Sequence, residues 1–470
     1  MSVISPDVIG PDYPAYRKEP FLARHRRQVL DWATHGLGAP KITPLFYVLK
    51  IVGWAALGLW LACMTTGVGS PWHAPAWWGE PAGYGKLAVF AMLWETLGLG
   101  AGTGPSGFHF FPLFSGFLQW TRPGTVRRAP FSGRLPLTGG DTRTVVDVVL
   151  YLCVIVSLGY ALFVPTVDQA ATAAAVPGTT GGMEPAWVLI APVVFTLLLG
   201  ARDQVPFLAT RPEQYLTALF FAAVLGPVDL MIAVKALIVV VWVGAAFSKL
   251  GLHFSNVIGP MMSNSPCLPF PAVRKLFYRD FPRDLRPSRL SSFIAHVLGT
   301  VVELACPLIL LFSGNMVLSV IAGVLIFGMH VVITSTIPLA VPVEWNIHFL
   351  FLIPFLFLGF PAWDGFGVTD VSSGLVWVLV AAVLLPLPVI GQFRPDWVSF
   401  LPGMRQYAGN WATSMWAFTP AALERFYAEL PAGSRNQEDV LTSLYGLDAS
   451  RKLLDKITAF RSMHSQGRGT

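Results

Sequence analysis

Leu230-Met-Ile-Ala-Val-Lys-Ala-Leu-Ile-Val-Val-Val-Trp-Val-Gly-Ala-Ala-Phe247 is an apolar run interrupted by one ionisable side chain, Lys235. A helix that crosses a bilayer needs about 20 predominantly apolar residues, so the run reads as a membrane span. Working outward, similar runs precede it at Leu45–Gly69, Leu87–Gly102, Val145–Val164, Trp187–Ala201 and Tyr215–Leu225. Four more follow, at Phe293–Phe312, Val317–Ala340, Trp345–Phe360 and Leu375–Ile390. The expected fold is all-α: a polytopic membrane helical bundle of about ten transmembrane helices.

Composition excludes the soluble alternatives. Hydrophobic residues make up 54% of the chain and charged residues only 12%, against about 25% charged in an ordinary soluble domain. The net charge of +6 does not indicate a nucleic-acid partner, because the Lys and Arg residues lie in the connections. Basic connections occur at the N-terminus, Thr121–Arg143, Arg202–Arg211, Lys249–Arg289 and the C-terminal tail. They alternate with Lys- and Arg-poor connections at Ser70–Tyr84, Pro165–Pro185 and Pro361–Ser373. By the positive-inside rule this predicts a multi-pass protein of the inner (plasma) membrane with both termini cytoplasmic. The chain divides accordingly into a cytoplasmic segment 1–43, a transmembrane domain 44–390 and a cytoplasmic helical tail 391–470.

The polar N-terminal forty residues do not read as a cleavable signal, and a surface helix carrying Trp32 is expected to stop at Gly36-Leu-Gly38. Cys63, Cys153 and Cys306 lie in apolar runs and Cys267 in a connection, a distribution that makes neither a disulfide framework nor a metal pattern. The Gly-rich stretch Leu97–Pro112, with Phe108, Phe110 and Phe111, reads either as a re-entrant segment or as an interfacial loop with aromatic anchors. Asp141 is the expected cap of the Val145–Val164 helix, with Asp147 placed to pair with Arg143 at i, i+4.

Glu95, Lys235, His296, Glu303 and His330 sit inside apolar runs. An Asp, Lys or Arg near the bilayer centre costs roughly 2.5 to 3.5 kcal/mol on insertion scales, so such groups normally face a polar interior. His296, Thr300 and Glu303 follow one helical face, and Glu344 and His348 share another. His330 reads either as a satisfied core histidine or as a proton-transfer group. Lys235 and Lys249 are fourteen residues apart, roughly on one face. Lys249 is either a buried base or an interfacial anchor. No H-E-x-x-H or E-x-x-H pattern supports a metal.

Three stretches carry a resemblance: Trp242-Val-Gly-Ala-Ala-Phe-Ser-Lys-Leu-Gly-Leu-His-Phe254, Phe327-Gly-Met-His-Val-Val-Ile333, and Glu303 ahead of Cys306-Pro-Leu308. They resemble the membrane domain of vitamin K-dependent gamma-carboxylase and its bacterial relatives. Other stretches are similar to an actinobacterial family of multi-spanning membrane proteins of unknown function. These are Trp120-Thr-Arg-Pro-Gly-Thr125, Asp141-Thr-Arg-Thr-Val-Val-Asp-Val148, Arg202-Asp-Gln-Val-Pro-Phe207, Tyr278-Arg-Asp-Phe-Pro282, Pro342-Val-Glu-Trp-Asn346 and Met404-Arg-Gln-Tyr-Ala-Gly-Asn-Trp411.

The carboxylase resemblance implies a carboxylase-like membrane domain in which Lys249 deprotonates a quinol, and it matches His330 to a family histidine. Where the family carries a histidine before a Tyr-Leu pair, this chain has Glu213. It also lacks the large lumenal domain that recognises a protein substrate. The expectation is therefore a membrane enzyme acting on a quinone or other isoprenoid lipid, with menaquinone the implied cofactor. Lys249, His330 and Glu303 would be catalytic, and Glu95, Glu213, His296 and Trp242 would bind substrate. Two readings stand beside it: a membrane-embedded terpene cyclase, which no DDxxD-type cluster supports, and a non-catalytic lipid carrier or envelope-assembly subunit. The expected partners are the bilayer and a small lipophilic substrate.

Overall fold

A computed structural model describes residues 15, 18–100, 115–336, 343–393, 418–429 and 437–465. Most of Leu97–Pro112, including its three phenylalanines, falls outside them, as do Pro342 and all of Met404–Trp411. The longer helices are numbered in chain order. They are α1 (Phe21–His35), α2 (Thr43–Thr66), α3 (Pro81–Thr96), α4 (Val145–Phe163), α5 (Ala186–Arg202), α6 (Tyr215–Val224) and α7 (Pro227–Ser248). After these come α8 (Ser255–Asn264), α9 (Arg289–Phe312), α10 (Met316–Thr334), α11 (Val343–Leu358), α12 (Gly374–Leu384), α13 (Gln437–Tyr445) and α14 (Leu447–Ser465).

Six of them, α2, α4, α7, α9, α10 and α11, are long and apolar enough to cross a membrane. Each of the ten apolar runs contains a helix, but α5, α6 and the segment Gly374–Ile390 are shorter. The one sheet among the described residues is a small antiparallel hairpin, Tyr278–Asp280 with Asp284–Pro287, in the connection after α7.

Burial sorts the helices into centre and rim. The apolar window of α7 is 78% buried and that of α11 67%, against 28% for α2 and for α10. A helix that is apolar all round belongs inside a bundle, and α7 fills that place. The rim helices turn Val52, Val156 and Val324 outward. A continuous apolar outer surface of this kind suits acyl chains and not water.

Local chemistry explains the helix ends. Helices α2, α3 and α7 start with Pro in the first turn, where a missing N–H is no loss. Helix α2 ends at Gly67, whose φ of 72° is the left-handed conformation of a C-cap. Lys86 of α3 donates to the carbonyls of Ala161 and Val164 at 2.8 and 2.6 Å, satisfying the last turn of α4. Glu80 accepts from the Thr180 and Gly181 backbone N–H groups at 2.6 and 3.0 Å, tying the start of α3 to the α4–α5 connection.

The expected cap and pairing at α4 are corrected. Thr144, not Asp141, is the N-cap, and it forms a capping box with Asp147. Asp147 does not pair with Arg143. It lies between Arg127 at 3.0 Å and Arg202 at 2.7 Å, while Arg143 reaches Asp203 at 2.7 Å. The reason is position: Arg143 precedes the helix, so the i, i+4 geometry of a helical face never applies to it.

The surface helix expected near Trp32 exists, but its face is covered. Trp32 is fully buried, donates from Nε1 to the Pro260 carbonyl at 3.0 Å, and packs on Phe460 of α14 at 4.8 Å between ring centroids. Lys456 pairs with Asp31 at 2.7 Å. Helices α1, α8 and α14 thus form one layer at one end of the bundle. Replacing Trp32 with Ala removes that anchor at a cost of about 3–5 kcal/mol. The expected outcome is that α14 becomes cleavable in limited proteolysis while the bundle stays intact. Unchanged protection of α14 would contradict the packing.

Candidate functional site

The central helix ends at Lys249, which is buried although it caps α7. The chain then turns through Gly251 and a 3-10 turn, Leu252–Phe254, into α8. Opposite this corner, α9 is not a regular helix. Its segment Ile294–Val301 is π-helical, and the Thr300 hydroxyl bonds the Ala295 carbonyl five residues back at 3.0 Å. Pro307 supplies no N–H to the Glu303 carbonyl one turn earlier. π-helical turns within α-helices are rare and frequent at functional sites.

Glu303 meets Lys249 here as a direct, hydrogen-bonded ion pair. The side chains are 4% and 6% exposed, so the contact lies in a low-dielectric interior. The Lys249 Nζ also stands 5.7 Å from the Phe254 ring centroid, within cation–π range. Thr300 reaches the Lys249 carbonyl at 3.4 Å, and His296 meets Ser255 at 3.0 Å. The stripe of His296, Thr300 and Glu303 therefore faces the α7–α8 corner.

His330 is reached through Trp242, which is seven residues before Lys249 and so on the same side of α7. The indole Nε1 donates to His330 Nε2 at 2.8 Å, and His330 Nδ1 lies 2.9 Å from Asn346 Oδ1. An indole N–H only donates, so Nε2 is the acceptor and Nδ1 carries the proton that Asn346 accepts. His330 is held as one neutral tautomer, stacked on Phe349 at 5.1 Å. Trp242 is 1% exposed, packs on Phe349 and Phe357, and positions His330.

Glu95 and Glu213 stand elsewhere. They join Lys50, Arg211, Tyr215, Glu344 and His348 in a second buried constellation. Lys50 pairs with Glu344 at 2.5 Å. His348 lies against Tyr215 at 5.6 Å and Trp54 at 6.1 Å. Arg211 has a φ of 54°, an uncommon left-handed conformation for a residue with a side chain. Burial pushes the Glu213 carboxyl up to about 7 against the pull of Arg211. Helix α11 divides the two groups. Asn346 points to His330, and Glu344 and His348 point to the other side, as a spacing of two residues on a helix requires.

Lys235 shares the α7 stripe with Lys249, but about 21 Å away along the axis. It donates to the Phe366 carbonyl at 2.8 Å and secures the α11–α12 connection. Among the described residues no group of three or more His, Cys, Asp or Glu is placed to hold a metal ion.

The whole chain, residues 1–470, matches the model of a family described as transmembrane protein of unknown function (DUF3556). The chain belongs to this family. No curated protein and no solved structure matches it. For this family member the sequence singled out Lys249, Glu303 and His330 as ionisable groups in apolar context, and the fold brings them to the two ends of one stripe. Sequence reading missed Lys50, Arg211, Tyr215 and Asn346 as site groups. Lys50 lies within the first apolar run, so the ionisable-in-apolar signal was present there too.

Proposed function

We propose that this membrane protein is an enzyme whose buried Lys249–Glu303 pair performs acid–base chemistry on a small lipophilic substrate of the quinone or isoprenoid class. The observation that carries the reading is the direct pairing of these residues where α7 ends against the π turn of α9. In a dry interior, transfer of one proton from the Lys249 ammonium to the Glu303 carboxylate leaves an amine and an acid side by side. That supplies a base and a proton donor within one contact. His330, oriented by Trp242 and Asn346, adds a fixed neutral imidazole beside them. The reading also draws on the resemblance of the Trp242–Phe254 and Phe327–Ile333 stretches to the gamma-carboxylase membrane domain, with menaquinone as the proposed cofactor.

Mass spectrometry of lipids extracted from the purified protein tests this. A quinone or other isoprenoid should accompany the wild type and be depleted in the Lys249→Met/Glu303→Leu double variant, which removes both charges of the pair. Bulk phospholipid alone from both would sink the enzyme reading and favour a structural pair.

We also propose ten spans with both termini cytoplasmic. Packing parity supports this. Helix α1, the α8 connection and α14 lie against one another, which supports their sharing one side of the membrane. If only the six longest helices crossed, three crossings would separate α1 from α8 and place them on opposite sides. Adding α3, α5, α6 and α12 restores an even count on both halves of the chain. Single cysteines at Gly178 and Ser373, in a cysteine-free background, should therefore react with an impermeant maleimide applied outside intact cells. Reaction of either only after permeabilisation would overturn the topology.

A further inference from the structure

We infer that Glu95, Glu213 and Glu344, with Tyr215 and His348, form a buried proton-exchange site on the side of α11 away from Lys249. Among the described residues the charges do not balance: three carboxylates face the two cations Lys50 and Arg211, so full ionisation of these groups leaves one negative charge in an apolar interior. Glu95 is fully buried, and neither of its carboxylate oxygens has a hydrogen-bond partner among the described residues. An ionised carboxylate in that state is penalised far more than a neutral acid, so the group favours its protonated form. The same holds for both oxygens of Glu213, which is 8% exposed.

Two further groups point to a proton and not to a permanent counter-ion. The Tyr215 hydroxyl and His348 Nε2 are buried without hydrogen-bond partners among the described residues. The hydroxyl lies within electrostatic range of all three glutamates and of Arg211. A hydroxyl and an imidazole can each donate or accept, which suits exchange of one proton among neighbouring carboxyls. The carboxylates do not converge as a metal site would require. The Glu95 carboxyl lies close against Gly100, where a Cβ would meet it.

Among the described residues, the titratable and charged groups facing Glu95 come from several elements. They are Lys50 from α2, Arg211 and Glu213 before α6, Tyr215 at its start, and Glu344 and His348 from α11. Uptake of one proton neutralises the cluster, and its release restores the charge. Lys50 keeps 19% of its side chain exposed. The site does not depend on the chemistry of Lys249.

Infrared difference spectroscopy of the full chain in lipid nanodiscs tests it. The wild type should show a protonated-carboxyl carbonyl band that shifts in D2O and disappears as pH is raised. Glu95→Gln, which keeps the shape, should remove one carboxyl per chain from that band. If Glu95→Gln does not fold, Glu213→Gln and Glu344→Gln decide, and at least one must alter the band or its titration. Three results would overturn the proposal. They are no such band at any pH where the wild type is folded, a band indifferent to every variant that folds, and a band governed by sodium or potassium concentration instead of pH.

Discussion

Glu303→Leu should destabilise the protein by about 3–5 kcal/mol, because it removes the carboxylate paired with the buried Lys249 ammonium. The double variant Lys249→Met/Glu303→Leu should recover most of that loss, since two apolar side chains of similar size need no pairing. Thermal unfolding midpoints in mild detergent would show the difference. A double variant as unstable as the single one would mean that the pair is not closed in the native state. Lys249→Arg adds a separate measurement. A guanidinium keeps the charge and the contact with Glu303 but is never deprotonated in proteins, so stability should survive while chemistry does not. Full function in the Lys249→Arg variant would make the lysine a charge anchor and remove the central support of the enzyme reading.

Asp147→Ala should be comparably severe, at about 3–5 kcal/mol, for a reason unconnected with chemistry. The side chain is 1% exposed and neutralises Arg127, which is fully buried, and Arg202. It also completes the capping box that starts α4, and losing a cap adds about 1 kcal/mol. The variant should accumulate poorly in membranes and melt early. Asp284→Ala, whose partner Arg286 is largely exposed, should leave the melting midpoint unchanged. Equal effects from both substitutions would mean that burial does not set the worth of these pairs.

How much of this was legible follows from the kind of signal each feature leaves. An apolar run is a local property, so the helices at α2, α4, α7, α9, α10 and α11 could be read directly. The stripe His296, Thr300 and Glu303 could be read too, because the residues of one helical face recur at fixed spacing. Asp147 could not be read correctly. Its partners lie 20 and 55 positions away, and the attractive local choice, Arg143, stands outside the helix.

The same division holds at the candidate site. The sequence by itself determined that Lys249, Glu303, His330, Glu95 and Glu344 would be ionisable groups within or beside apolar helices, because insertion energetics make such residues conspicuous. Only the tertiary structure decided how they sort. Lys249 goes with Glu303 because α7 ends against the π turn of α9, and His330 is locked because Trp242 and Asn346 reach both ring nitrogens. Glu95 and Glu213 join Glu344 and Tyr215 because α11 stands between the two groups and turns alternate residues to opposite sides. Pairing in an apolar interior depends on which helix faces which, and helical spacing within one segment carries no information about its neighbour.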